Sequence, residues 1–205
     1  MVLHVVTDPT SALWDRGEQF VYDVFRVSEF CAESPRRWVE ESEPYRPGSR
    51  LHVLMDSDDI VGVIRTFVGT YAQLPIGQFT PEIPVPEGRL VEIGSLAVKS
   101  SLRGLGVANA LHRSAVQDAI RLGVPAFCML VEPWAIDFFR TVYGLPLVQT
   151  APAADYMGSL TVPAMANIAE MLHRLVTEFP GLYEWLSEDL EPELWARGDL
   201  PILLR

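Results

Sequence analysis

Residues 90–110 read LVEIGSLAVKSSLRGLGVANA, and the rest of the chain can be read outward from them. Leu90–Lys99 is apolar and β-branched enough to be a strand. It runs into Ser100-Ser101-Leu102, and Arg103-Gly104-Leu105-Gly106-Val107-Ala108 then opens a helix expected over Gly104–Leu122. Val107, Leu111, Ala115, Val116, Ala119 and Ile120 fall on one side of that helix. Small residues at the junction let the backbone approach a bound group closely. The first N–H groups of a helix have no internal acceptor, and its dipole adds partial positive charge, so the junction suits a pyrophosphate. A dinucleotide fingerprint fails, because Asn109 stands where the third glycine of G-x-G-x-x-G is required, and no acid follows about 20 residues on. A P-loop fails for want of G-K-[ST]. The plainer alternative is a strand–helix turn that needed glycines.

Upstream, Val2–Thr7 reads as a strand stopped by Asp8-Pro9, and Ser11–Glu29 as an amphipathic helix capped by Thr10 or Ser11. Residues 34–50 read as a loop holding at most a turn of helix. Leu51–Met55 and Ile60–Val68 form a hairpin around Asp56-Ser57-Asp58-Asp59. Four prolines make residues 73–88 an irregular excursion. Downstream, a strand is expected at Val124–Val131, a helix at Trp134–Val142, strands at Leu145–Gln149 and Tyr156–Val162, and helices at Met165–Glu178 and Leu182–Leu194. This order gives an α/β (α+β) fold, a mixed sheet with helices on both faces. The division expected is residues 1–164 as the main domain and 165–205 as a C-terminal helical extension packed on it.

The chain has 16 basic against 27 acidic residues, a net charge of −11 over 205 residues. That balance argues against nucleic acid or an anionic membrane as partner. With 49% of residues hydrophobic, disorder is excluded and one sizeable core is within reach. No run is long enough to span a bilayer, and Met1–Val6 lacks the features of a secretion signal, so a cytoplasmic protein is expected. Cys31 and Cys128 sit in apolar company and read as buried free thiols. His4, His52, His112 and His173 show no spacing suited to a metal or a triad, and no metal is expected. Between 99 and 121 four basic residues (Lys99, Arg103, Arg113, Arg121) face one acid, Asp118, a locally cationic island in an acidic chain.

Arg103, Gly106 and Ala108 fill the pattern [RQ]-x-x-G-x-[GA] directly after a strand and before a helix. In this the chain resembles the GNAT superfamily of N-acyltransferases. The resemblance implies a mostly antiparallel sheet splayed into a V beside Leu90–Lys99. It implies that backbone groups of Leu96, Ala97 and Val98 hold a pantetheine arm, and that amides at Arg103, Gly104, Leu105, Gly106, Val107 and Ala108 hold its pyrophosphate. The co-substrate would be an acyl-CoA (acetyl-CoA or longer) or an acyl-carrier-protein thioester, and the acceptor a small-molecule amine. The protein would act as a monomer or homodimer. A narrower resemblance, to acyl-homoserine-lactone synthases and N-acyl amino acid synthases, rests on Arg26 and Phe30, on Trp38 with Glu40, Glu41 and Glu43, on Gly62-Val63-Ile64-Arg65 and on Glu92. It spans roughly residues 20–165. Gly94-Ser95 replaces the serine–arginine pair of the lactone synthases, so recognition of S-adenosylmethionine is not expected. The tyrosine that serves many relatives as general acid is replaced by Phe139; Tyr143 and Tyr156 are the possible substitutes.

Glu92 is the candidate general base. Strand alternation puts Glu92, Gly94 and Leu96 on one face and Val91, Ile93 and Ser95 on the other. The alternative role for Glu92 is a structural ion pair with Arg65 or Arg26. Those two arginines are the candidates for binding a carboxylate on the acceptor, such as that of an amino acid, because a guanidinium fork suits that geometry. An acyl-carrier protein would be expected to dock on the cationic island. Residues 71–86 and the C-terminal helices, with Trp185, Leu186 and Trp195, either line an acyl tunnel or complete the core. Two functions remain: an N-acyltransferase, or a non-catalytic acyl-CoA-binding module.

Overall fold

Hydrophobic alternation in five runs of the first 131 residues produces five strands, and hydrophobic burial stacks helices on both of their faces. The computed structural model describes residues 1–191 and 194. β1 (Val2–Val6), β2 (Ser49–Asp56), β3 (Asp59–Gly69) and β4 (Leu90–Val98) form an antiparallel run. β5 (Ala126–Val131) joins β4 in parallel. β8 (Ser159–Asn167) then pairs antiparallel with β5, and also with the short strands β6 (Val148–Gln149) and β7 (Ala154–Tyr156).

Helix α1 (Ala12–Val27) is capped by the Ser11 hydroxyl, which accepts from the Trp14 amide at 3.3 Å. It lays Trp14, Val21 and Phe25 on Leu51, Val53, Val63 and Ala97 of one sheet face. The Pro-rich excursion continues that cover, placing Leu74 and Ile76 against Phe67, Leu90 and Cys128. The opposite face is buried by α2 (Val107–Arg121), α3 (Pro133–Val142), α4 (Ile168–Glu178) and α5 (Pro180–Ser187). Both cysteines are buried and free, as expected. No helix among the described residues is long and apolar enough to cross a membrane.

Several boundaries differ from the sequence reading. The helix expected from Gly104 begins at Val107, because Gly104 (φ 78°) and Gly106 (φ 85°) occupy the left-handed region and form a loop. The segment read as one strand at Tyr156–Val162 is a hairpin, turned at Met157 and Gly158, which both have positive φ. β8 runs on to Asn167, so Met165 is a strand residue and α4 starts three positions later, capped by the Asn167 side chain. The loop at 34–50 contains a nine-residue 3-10 helix, Glu40–Gly48. Helix α5 stops at Ser187 rather than running to Leu194, and Trp195 lies outside the described residues.

Candidate active site

The sheet opens where β4 and β5 part. Their parallel ladder holds only Val91–Ile93 against Phe127–Met129. Beyond it, β4 keeps its bonds to β3 while its other edge faces a gap. On the other side of β4 at the same level lies a bulge: Arg65 pairs with Gly94 and Val63 with Ala97, so Ser95 and Leu96 together oppose the single residue Ile64. Ser95 takes φ 50° to make the bulge. The extra residue reverses the alternation. Before it, odd residues (Val91, Ile93) face the α2 side; after it, Ala97 joins the α1 side and Val98 the α2 side. Ser95 therefore lines the same cavity as Glu92 and Gly94, contrary to the simple alternation expected from the sequence.

That cavity has a volume of about 310 Å³. Phe25, Phe30, Phe67, Leu96, Leu130 and Met157 give it apolar walls, and Glu92, Glu132 and Tyr156 are among its polar groups. A second cavity of about 380 Å³ adjoins it, since Phe25, Phe30 and Leu96 line both. The second is floored by Val98, Leu102, Arg103, Gly104, Gly106, Ala108 and Asn109. The first α2 hydrogen bond runs from the Ala110 amide to the Gly106 carbonyl at 3.0 Å, so the amides of Val107, Ala108 and Asn109 are free of intrahelical partners. Arg103 and Leu105 spend their amides on turns, bonding Ser100 and Leu102 carbonyls at 3.4 and 3.2 Å. A Cβ on Gly104 or Gly106 would meet nothing within 4 Å, so both glycines border open space and are required by their φ, not by crowding. The donor set is a concave group of N–H groups with one guanidinium, which fits a pyrophosphate.

Glu92 is 2% exposed, at the wall of the first cavity. Its Oε2 accepts the Ile76 amide at 2.8 Å, and no arginine pairs with it among the described residues. Burial pushes its carboxyl up to about 8, partly opposed by the Ile76 hydrogen bond. The pocket wall that supplies this amide comes from the Pro75–Gln78 turn, a contact that no sequence motif announces. Burial, with Glu92 next in effect, also raises Tyr156, so that its phenol stays protonated.

The other predicted residues are placed as follows. Arg65 is 1% exposed, forms an ion pair with Glu18 of α1, and lies 5.7 Å from the Phe67 ring centroid. Arg26 is exposed at the end of α1 and donates to the Cys31 carbonyl at 2.8 Å. Neither lines the Glu92 cavity. Tyr143 donates to Asn109 Oδ1 at 2.5 Å, while Phe139 packs in the core. Trp185 and Leu186 line a separate apolar cavity of about 40 Å³ with residues of α2, α3 and α4, so they complete a core there. The cationic island is largely neutralised: Arg113 bonds Glu188 and Asp189, Arg121 bonds Glu191, and Lys99 bonds Asp59. The acids come from outside the 99–121 window, which a local charge count does not see. Among the described residues Arg103 has no ion-pair partner. His52 is a core histidine bonded to Ser114 and Thr66 at 2.7 and 3.3 Å, its pKa pushed down to about 3 chiefly by burial.

Comparison with solved structures gives the same architecture. The fold is similar to that of FeeM, an N-acyl amino acid synthase from uncultured soil microbes, with TM-score 0.64 and 15% identity, covering 87% of this chain and 97% of that one. It is similar to MesI, a CoA-dependent acyl-homoserine lactone synthase, with TM-score 0.68 and 13% identity, covering 91% and 94%. It is also similar to an N-acetyltransferase described as putative from Lactobacillus plantarum, with TM-score 0.55 and 14% identity, covering 82% and 97%. At these identities the likeness is one of fold. No curated protein matches the chain. The model of the acetyltransferase (GNAT) family matches residues 18–144, which runs from Glu18 through the bulged strand, the glycine loop and α2 to the end of α3. The parted sheet, the amide-lined loop and this match over more than half its length place the chain in the GNAT acetyltransferase family.

Proposed function

We propose that the protein moves an acyl group from an acyl-CoA thioester to a small-molecule amine, with Glu92 as general base. The observation that carries this is continuity. The cavity holding Glu92 and the cavity over the Arg103–Ala108 loop share Phe25, Phe30 and Leu96. A ligand anchored by phosphates at the loop can run along the open edge of Leu96, Ala97 and Val98 and end beside Glu92. The free amides of α2, with Arg103, take the pyrophosphate. The unpaired edge of β4 receives the pantetheine as a short added strand.

Glu92 then takes the proton of the attacking amine as the C–N bond forms and the C–S bond breaks. Tyr156, protonated in the same cavity, is assigned to return a proton to the leaving thiolate. Tyr143 is engaged with Asn109 outside that cavity. Holding the two reactants in line supplies several kcal/mol without further chemistry. The donor is CoA rather than a carrier protein, because an acidic carrier would meet a −11 chain whose local cations are already paired.

The test is thiol release from acyl-CoA by wild type and Glu92→Gln over a panel of amines, with CoA binding measured in parallel. The expected result is a loss of roughly 10²- to 10⁴-fold in rate with CoA affinity retained. Release unaffected by the substitution removes Glu92 as base. Binding without release for any amine makes the protein an acyl-CoA-binding module.

A further inference from the structure

We propose, resting on the acyltransferase reading above, that the acceptor is an amine carrying no carboxylate, recognised as a cation by an acid-lined cleft. The two arginines that the sequence offers for a carboxylate are both committed elsewhere. Arg65 is buried against the Phe67 ring, is absent from the described lining of the cavity and is paired with Glu18. Arg26 faces out and holds the Cys31 carbonyl. Among the described residues, those that do line the cavity include two acids, Glu92 and Glu132, and no lysine, arginine or histidine. A third acid, Glu41, flanks the lining residue Ser42 and lies close enough to act electrostatically on Tyr156.

An amino acid would therefore bring its carboxylate into a largely apolar cavity beside the charge of Glu132 and near that of Glu41, with no guanidinium among the described lining residues to receive it. Like-charge juxtaposition of this kind is strongly disfavoured. A plain amine is drawn in as a cation by Glu132 and Glu41, sheds one proton to solvent, and as the free amine gives the second to Glu92 when the C–N bond forms. The hydroxyls of Ser42, Ser95, Ser159 and Thr161 supply neutral hydrogen-bonding sites for the rest of it. Among the described residues Arg103 is the only basic one lining the two joined cavities, and it belongs to the phosphate end.

The test uses the full chain with acetyl-CoA and a longer acyl-CoA, and three matched acceptor sets. They are tyramine, tyrosine methyl ester and tyrosine; phenethylamine, phenylalanine methyl ester and phenylalanine; and putrescine, ornithine methyl ester and ornithine. Amines and esters should exceed the free amino acids by at least about 10-fold in kcat/KM. In the double variant Glu41→Gln/Glu132→Gln that preference should shrink several-fold, because the repelling charges are gone while Glu92 remains. Equal or better use of the free amino acids overturns the proposal and leaves the acyltransferase reading standing. A preference unchanged in the double variant overturns its electrostatic basis. Absence of thiol release with all nine acceptors overturns both readings at once.

Discussion

Replacing Glu92 by glutamine should stabilise the protein at high pH while disabling it. The carboxyl is fully buried and shifted from 4.5 to about 8, with burial the leading cause. A raised value means that the folded state binds the proton more tightly than the unfolded chain does. The associated stability is present in full below pH 4.5 and is lost as pH rises through about 8. At roughly 1.4 kcal/mol per pH unit, that displacement amounts to as much as about 5 kcal/mol by pH 9. Glutamine keeps an oxygen for the Ile76 amide and never ionises, so the variant escapes this loss. For a chain of this size each kcal/mol moves Tm by about 2–4 °C, so the variant should melt roughly 10 °C above wild type at pH 9. Near pH 5 the two should melt within a few degrees of each other. Thermal melts at pH 5, 7 and 9 measure the difference directly, and the other titrating groups, common to both proteins, cancel from it. A gap that stays constant from pH 5 to 9 refutes the claim that Glu92 is held in a desolvated site. The same ionisation governs the rate: wild-type kcat/KM should climb with pH and level off above about 8.

Other substitutions probe the supports of the site. In Gly62→Ala the new Cβ would lie 2.6 Å from Val107 Cγ1 and 2.8 Å from Leu111 Cδ1, so these α2 side chains must shift. A loss of about 1–3 kcal/mol in urea denaturation is expected, together with a raised KM for acyl-CoA, because Val107 is the first residue of the phosphate-binding helix. Ser95→Gly relieves a non-glycine residue at φ 50° and should raise the denaturation midpoint by up to about 1 kcal/mol in stability without closing the bulge. Arg103→Glu should weaken acyl-CoA binding about 10-fold or more in isothermal titration and leave the melting temperature near that of wild type, since the side chain is exposed. Glu18→Ala strands Arg65 without its partner at 1% exposure and should cost roughly 3–5 kcal/mol in chemical denaturation.

The glycine–arginine strand shows how a sequence pattern and its physical cause can part company. Gly62-Val63-Ile64-Arg65 matches a relative's motif and suggests acceptor binding by Arg65. In the structure Gly62 is small because α2 crosses it, and Arg65 is buried because Glu18, 47 positions earlier, is buried opposite it. The cationic island is paired for a similar reason. Its partners Glu188, Asp189 and Glu191 lie beyond the window in which charge was counted. Phe30 and Tyr156 were visible as candidates only by analogy, whereas Glu132 and Ser42 carry no local signal at all. They reach the cavity because a turn at the end of β5 and a 3-10 helix after α1 come together there.

Local chemistry alone determined the strand and the helix within residues 90–122, the small-residue junction between them and the free amides at the helix start. These follow from short-range sterics, helix-end hydrogen bonding and periodicity, which act over a few residues. The same holds for Glu92 as the acid buried in an apolar strand. What only the tertiary structure decided is the side each residue faces after the bulge, and which charges are already paired. It also decided which side chains share a cavity. Those outcomes depend on contacts between segments tens of residues apart, where burial and pairing are settled by whichever partner the fold delivers.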